Sequence, residues 1–286
     1  MSNKTDTKHQ TPNTQNSTLK EMPPCMILCG GMGTRLRDVT ELLPKPMVPI
    51  GSQPIIWHIM KTYAAYGVKR FILCLGYKRE TFINYFLNYH ERSTDITVKL
   101  GQNKDITYHN THKEEDWEVT LAYTGQKTMT GGRVYKASKY LLDSDEDFFL
   151  TYGDAVANIN IKKLYHFHQE KNKEITVSAI HPKGRFGEMV INEKNNNVDA
   201  FLEKPEKENM TINGGFMVLK KSFINNYMDN SIDLIFEQEP ISRAVSKHKM
   251  SAYKHEGFWQ CMDTQREFNM LTELWNNGNA PWKVWK

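Results

Sequence analysis

The chain has 286 residues, 39% hydrophobic and 24% charged, an ordinary globular composition with enough length for one large domain or two small ones. Its net charge of +4 comes from interspersed Lys and Glu rather than from a basic block, which excludes the clustered footprint of a nucleic-acid binder. No apolar run approaches the roughly 18 residues that a membrane span needs. Nucleic acid and membrane are therefore not expected partners.

Residues 1–22 are rich in Thr, Asn, Gln and Lys and contain no hydrophobic stretch. They predict a disordered polar tail rather than a signal peptide, followed by one domain over 23–286 in the cytoplasm. Order is expected to begin near Pro23. Cys25, Cys29, Cys74 and Cys261 form no CxxC pair, and the first three lie in apolar runs. Buried free thiols are the expectation, with no disulfide framework or metal cluster.

The run Cys25–Cys29 is continuously apolar and ends at Gly30-Gly31, as a buried parallel strand does. From Pro54 to Tyr66, the residues Ile55, Ile56, Ile59, Met60 and Tyr63 share one helical face. Arg70–Leu75 is a second buried strand, and Glu80–Tyr89 returns to helical spacing. Further strands are predicted at Ile96–Leu100, Val119–Tyr123, Phe148–Tyr152 and Ile175–Ile180, with helices at Arg133–Leu142 and Ile161–Lys171. Such alternation predicts an α/β fold, a Rossmann-like, mostly parallel sheet flanked by helices. Met189–Asn192 and Val198–Glu203 flank a polar turn and predict an inserted antiparallel hairpin. A strand at Gly215–Leu219 and helices at Ser222–Met228 and Thr264–Asn276 complete the expectation. In such sheets ligands lie beyond the carboxyl ends of the strands, so the residues that follow each strand carry the chemistry.

After the first strand stands Gly30-Gly31-Met32-Gly33-Thr34-Arg35-Leu36. Three glycines in four positions let backbone N–H groups approach phosphates without a Cβ in the way. Arg35 adds a planar fork of donors, and Lys45 follows between Pro44 and Pro46. The spacing is neither the dinucleotide GxGxxG nor the GxxxxGK[ST] loop. The glycines alone also fit a plain turn with Arg35 and Lys45 solvated.

GGMGTRL followed by LPKPMVPI resembles the N-terminal signature of the sugar nucleotidylyltransferases, the pyrophosphorylase family. MTGGR (129–133), TYGDAVA (151–157), GRFGE (184–188), EKP (203–205), INGGF (212–216) and GFWQCMDT (257–264) resemble the branch of that family that makes CDP-glucose. The closing NAPWKVW does so too. The similarity spans about residues 25 to 285. It implies the nucleotide-diphospho-sugar transferase type of sheet. It also implies CTP and a sugar 1-phosphate, with glucose as the sugar, as substrates, Mg²⁺ as cofactor, and a homo-oligomer, hexamer or smaller.

The reaction would gather roughly six negative charges, and two unit charges 4 Å apart repel by about 4 kcal/mol even at an effective dielectric near 20. Neutralisation and positioning are then most of the catalysis. The resemblance implies that Arg35, Lys45, Arg133 and Lys204 are the catalytic cations. It places Gly30, Gly31, Gly33, Thr34, Thr130, Gly131, Gly132 and Asp154 with Arg35, Lys45 and Arg133 around the nucleotide. It places Gly187, Glu203, Lys204, Asn213 and Gly215 around the sugar phosphate, and makes Asp154 and Asp263 the metal ligands. By pattern alone, Asp154 is also a turn residue, Asp263 also a helix N-cap, Arg133 also a first-turn helix residue and Lys204 also a surface lysine. Tyr123, Asn158 and Cys261 depart from the branch, where Asp, Asp and Pro are usual, and they bear on sugar choice or subunit contacts rather than on the phosphate chemistry. Alternatives are another sugar phosphate, UTP or dTTP as donor, or a non-catalytic nucleotide-sugar sensor.

Overall fold

A computed structural model describes residues 21–31, 42–101, 105–114, 116–182, 188–191, 198–202 and 211–286. In chain order the first elements are β1 (Cys25–Leu28), a 3-10 turn at Lys45–Met47, β2 (Pro49–Ile50), β3 (Gln53–Pro54), α1 (Ile55–Ala64) and β4 (Arg70–Leu75). Next come α2 (Arg79–Leu87), α3 (Tyr89–Ser93), β5 (Ile96–Lys99), β6 (Asp105–Tyr108), β7 (Glu118–Tyr123) and α4 (Thr130–Ala137). They are followed by β8 (Asp147–Tyr152), β9 (Ala155–Ala157), α5 (Ile161–Lys171), β10 (Ile175–Ile180), β11 (Glu188–Ile191) and β12 (Val198–Leu202). The last are β13 (Ile212–Lys220), α6 (Ser222–Tyr227), α7 (Glu239–Ser246), β14 (Met250–His255), β15 (Trp259–Cys261) and α8 (Gln265–Asn276).

Seven strands form the central sheet in the order β14-β10-β13-β8-β1-β4-β7. All are mutually parallel except β13, which runs against both β8 and β10. From β1 the chain steps outward to β4 and β7, then returns to β8 on the other side of β1. The order therefore reverses at β1/β8, the place where open α/β sheets bind ligands. Strand residues alternate between two cores. Cys25, Ile27, Leu73, Phe149 and Val218 pack against α1, α5 and α8. Met26, Ile72, Phe148, Leu150 and Met217 pack against α4, α6 and α7 on the opposite face. The predicted apolar stripe of α1 is buried in full.

Several elements differ from expectation. The strand expected at Ile96–Leu100 lies outside the central sheet; β5 pairs with β6 in a two-stranded arm, Ile96 opposite Tyr108. The helix expected from Arg133 starts at Thr130, so Gly131 and Gly132 sit in its first turn. Glycine's poor helix propensity hides that start. The predicted hairpin is present as β11 and β12. Met22, assigned to the polar tail, packs against the core; residues 1–20 lie outside the described residues. Trp282 is fully buried and belongs to the core.

Cys25, Cys29 and Cys74 are buried free thiols, and Cys261 is partly exposed. Burial pushes the Cys74 thiol up to about 12, which keeps it unreactive. Among the described residues no helix is long and apolar enough to cross a membrane.

The turn before β7 is fastened to α1 by a buried ion pair, Lys61 Nζ donating to Glu114 Oε1 at 2.6 Å. The same ammonium lies over the rings of Trp57 and Trp117. Removing one partner leaves the other charge buried, at a cost of about 3–5 kcal/mol. Glu114→Ala should lower the free energy of urea unfolding by about 3 kcal/mol. An unchanged midpoint would show that the pair contributes nothing.

Candidate active site

At the carboxyl end of β1, Cys29, Gly30 and Gly31 form the floor of a cavity of about 350 Å³. Beneath it runs the guanidinium of Arg133 from α4. Its Nη1 donates to Leu75 O at 3.2 Å, Thr124 Oγ1 at 2.8 Å and Gly125 O at 2.8 Å. Its Nη2 donates to Gly30 O at 3.0 Å and Gln126 O at 3.2 Å. The planar fork thus ties together the segments that follow β1, β4 and β7. A Cβ on Gly30 would stand 2.1 Å from Arg133 Cζ, and one on Gly76 would stand 2.5 Å from Nη1. These two positions need glycine because a side chain would enter the arginine. Arg133, expected near the phosphates as a catalytic cation, spends these donors on carbonyl and hydroxyl oxygens under the phosphate loop.

Lys45 is presented by the 3-10 turn, whose prolines at 44 and 46 fix the backbone; Met47 N donates to Pro44 O at 2.8 Å. Its ammonium donates to Asp154 Oδ2 at 3.1 Å and to Asp263 Oδ1 at 2.5 Å. Asp154 stands in the turn after β8, at the switch point. Asp263 reaches it because β15 pairs antiparallel with β9, Cys261 opposite Ala155, and Met262 N donates to Asp154 O at 2.8 Å. Thr264 is the N-cap of α8 and completes a capping box with Glu267. Capping is therefore not the work of Asp263, whose carboxylate turns to Lys45 instead. Burial pushes the Asp154 carboxyl up, Lys45 opposes that, and neighbouring Asp263 adds to the rise. Burial alone would lower the Lys45 ammonium, but Asp154 and Asp263 outweigh it and hold it above its ordinary value.

Two carboxylates from distant parts of the chain thus converge on one cation. Among the described residues no group of three or more His, Cys, Asp or Glu could hold a metal ion. A hard cation such as Mg²⁺ takes one or two carboxylates plus phosphate oxygens and water, and Asp154 and Asp263 fit that requirement.

Thr130, Tyr152 and the 126–129 turn form the remaining walls. Gly131 and Gly132, expected at the nucleotide, face another chain segment. A Cβ on Gly131 would stand 2.8 Å from Leu234 Cγ, and one on Gly132 2.4 Å from Ser231 O. Asn213 Oδ1 accepts from Gly215 N at 2.9 Å. Gly215 has φ +80°, and its missing Cβ leaves room for the ring of Tyr152. Gly33, Thr34, Arg35, Gly187, Glu203 and Lys204 lie outside the described residues. Tyr152 and Glu237 escaped the sequence analysis. Tyr152 stood in plain view within TYGDAVA, whereas Glu237 lies in a stretch without motif or periodicity.

A lysine in place of Arg133 offers a point charge with three donors where a fork serves five acceptors. Arg133→Lys is expected to cost about 2–3 kcal/mol of stability, since hydrogen bonds to charged groups contribute about 1.5–3 kcal/mol each. A thermal midpoint equal to the wild type would show that the clasp is idle.

The model of the nucleotidyl transferase family matches residues 25–266. Glucose-1-phosphate cytidylyltransferase from Salmonella typhimurium (strain LT2) is 44% identical over 261 residues, 91% of this chain and 99% of that protein. The probable glucose-1-phosphate cytidylyltransferase of Bacillus subtilis (strain 168) is 38% identical over 260 residues, again 91% and 99%. Among solved structures, the inositol-1-phosphate CTP transferase from T. maritima superposes with a TM-score of 0.62 at 16% identity, covering 93% of this chain and 98% of that one. That last likeness bears on the fold alone. With a glycine floor and an acidic pair where its sheet reverses, and a family match over most of its length, this chain belongs to the nucleotidyl transferase family.

Proposed function

We propose that the protein transfers a cytidylyl group from CTP to α-D-glucose 1-phosphate, giving CDP-glucose and pyrophosphate. The observation that carries the chemistry is the convergence of Asp154 and Asp263 on Lys45 at the carboxyl end of the sheet. Support for cytosine and glucose comes from the two relatives named above, which align over nearly their whole length.

An oxygen of the sugar phosphate attacks the α-phosphorus in line, and the bond from that phosphorus to the bridging oxygen of pyrophosphate breaks. The attacking oxygen is already ionised, so no general base is required. Magnesium, held by Asp154 and Asp263, would supply positive charge to the reacting phosphates. Lys45, fixed by its proline-bounded turn, lies within reach of the same oxygens and offsets charge on the departing pyrophosphate. The Gly30–Gly31 backbone lets the phosphate chain approach, and Arg133 holds that backbone in place. Arg35 joins Lys45 on the triphosphate, and Lys204 steadies the sugar phosphate. Glu203 and Asn213 take sugar hydroxyls, with Gly187 and Gly215 beside the ring. Assembly as a homo-oligomer, hexamer or smaller, in the cytoplasm belongs to the same proposal. The exposed Ile96 and Tyr108 of the β5–β6 arm and Leu100 beside it supply apolar surface for such contacts.

Pyrophosphate release should be fastest with CTP and glucose 1-phosphate when each triphosphate is paired with a panel of sugar phosphates. A faster rate with UTP or dTTP overturns the choice of base, and no turnover with any pair leaves the sensor reading. Asp263→Asn should cut kcat by at least about 100-fold, the loss typical for one electrostatic partner of a transition state. It should also weaken Mn²⁺ binding seen by electron paramagnetic resonance, with the circular dichroism spectrum unchanged. Undiminished Mn²⁺ affinity would remove Asp263 from the metal.

A further inference from the structure

One carboxylate bridges two walls of the cavity without belonging to either. Glu237 accepts a hydrogen bond from Thr130 Oγ1 through Oε2 at 2.6 Å and one from Tyr152 Oη through Oε1 at 2.5 Å. Thr130 opens α4 and Tyr152 closes β8, and both line the cavity beside Lys45 and Asp154.

The segment that carries Glu237 is itself held in register. Met129 N donates to Ile232 O at 2.8 Å, and Gly131 N and Gly132 N donate to Leu234 O at 2.9 and 3.1 Å. Phe236 N donates to Thr130 Oγ1 at 3.0 Å. Leu234 and Phe236 before it and Pro240 after it are buried, so the strap is anchored on both sides of its exposed glutamate. The paired glycines of α4 permit this approach, since a Cβ on either would strike the strap.

Tyr152 is fixed from two directions. Gly215 gives its ring the space a Cβ would fill, and Glu237 holds its hydroxyl. Burial, then the Glu237 charge, push that phenol well up, so it stays protonated and donates. The carboxylate accepts through both oxygens at once, a span set by its reach as much as by its charge.

We propose that Glu237 is a positioning residue for the nucleotidyl-transfer pocket, clamping Thr130 and Tyr152 so that the cavity holds its substrate-ready width. The proposal rests on the transfer reaction proposed above. It assigns the strap, the glycine pair and Tyr152 to one device that sets substrate affinity. Losing the clamp lets two walls relax without touching Lys45, Asp154 or Asp263, so substrate binding suffers more than the chemical step.

The test compares Glu237→Ala, Glu237→Asp and Glu237→Gln in steady-state assays. Glutamine keeps one acceptor for Tyr152 and offers an amide donor to Thr130 Oγ1, and it preserves the reach. Aspartate keeps the charge but is one methylene too short to span both hydroxyls. Ala and Asp variants should raise KM for the triphosphate about tenfold with kcat within about threefold, and Gln should stay near the wild type. Combining Glu237→Ala with Tyr152→Phe should give less than the sum of the two effects. The proposal is overturned if KM is unchanged in the Ala variant, if Asp behaves as well as Gln, or if the double variant is strictly additive. Should the Ala variant fail to fold, the Asp and Gln pair decides alone. The wild-type rate with CTP and glucose 1-phosphate judges the reaction separately, while variant-to-wild-type ratios, taken with whichever triphosphate the wild type uses, judge the clamp.

Discussion

The pairing of one ammonium with two carboxylates governs the site. Lys45, Asp154 and Asp263 come from three separate parts of the chain, with 109 residues between the first two and 218 between the first and last. Half-buried like charges are costly side by side without a cation, so each element that delivers a carboxylate depends on the lysine. The prolines around Lys45, the β9–β15 pairing and the capping box of α8 therefore serve one geometric end. Each would be an ordinary local feature elsewhere, and together they bring Asp263 to Asp154.

The sheet decides where this happens. Because the chain returns to β8 after placing β4 and β7, the carboxyl ends of β1 and β8 lie next to each other. Gly30 leaves one and Asp154 the other. Arg133 then does from below what the ion pairs do from the side, drawing the segments after β1, β4 and β7 onto a single guanidinium. Its cost in desolvation is offset only because nearly every donor finds an oxygen. The glycines at 30 and 76 follow from this, as space for an arginine and not only as access for phosphate.

How much of this was legible in the sequence depends on how local the signal is. The stripe of α1, the continuous apolar runs of β1 and β4, the alternating ITVSAI of β10, and the polar turn between β11 and β12 are local, and sequence pattern alone places them. Lys45 and Asp154 were legible as charged residues in fixed turns beside strands. β9 and β15 were not, because three-residue strands carry no period. β14 was not, because its sequence MSAYKH has the mixed polarity of a sheet edge. β13 was expected only over Gly215–Leu219, whereas it runs Ile212–Lys220 with Gly214 and Gly215 inside it, where they accommodate Ile180 and Tyr152. Gly131 and Gly132 were legible as important but for another reason, since their neighbour is a segment about a hundred residues downstream. Glu237 gave no signal, because its meaning lies wholly in two hydroxyls brought to it by the fold.

The charge balance of the site carries one more consequence. One ammonium against two carboxylates leaves the triad itself with a single negative charge, although Arg133 and Lys127 line the same cavity, and like charges at contact distance repel by several kcal/mol even at moderate screening. The triad therefore organises the site without attracting substrate. Attraction has to come from the other cations of the cavity, Lys127 and Arg133, from cations delivered with the substrates, or from further basic residues in the sequence. The sequence supplies Arg35 and Arg37 directly after the glycine loop and Lys204 and Lys207 after β12. Under the proposed reaction the labour divides: the paired charges of the triad position the reacting phosphates, and the remaining cations draw the phosphates in.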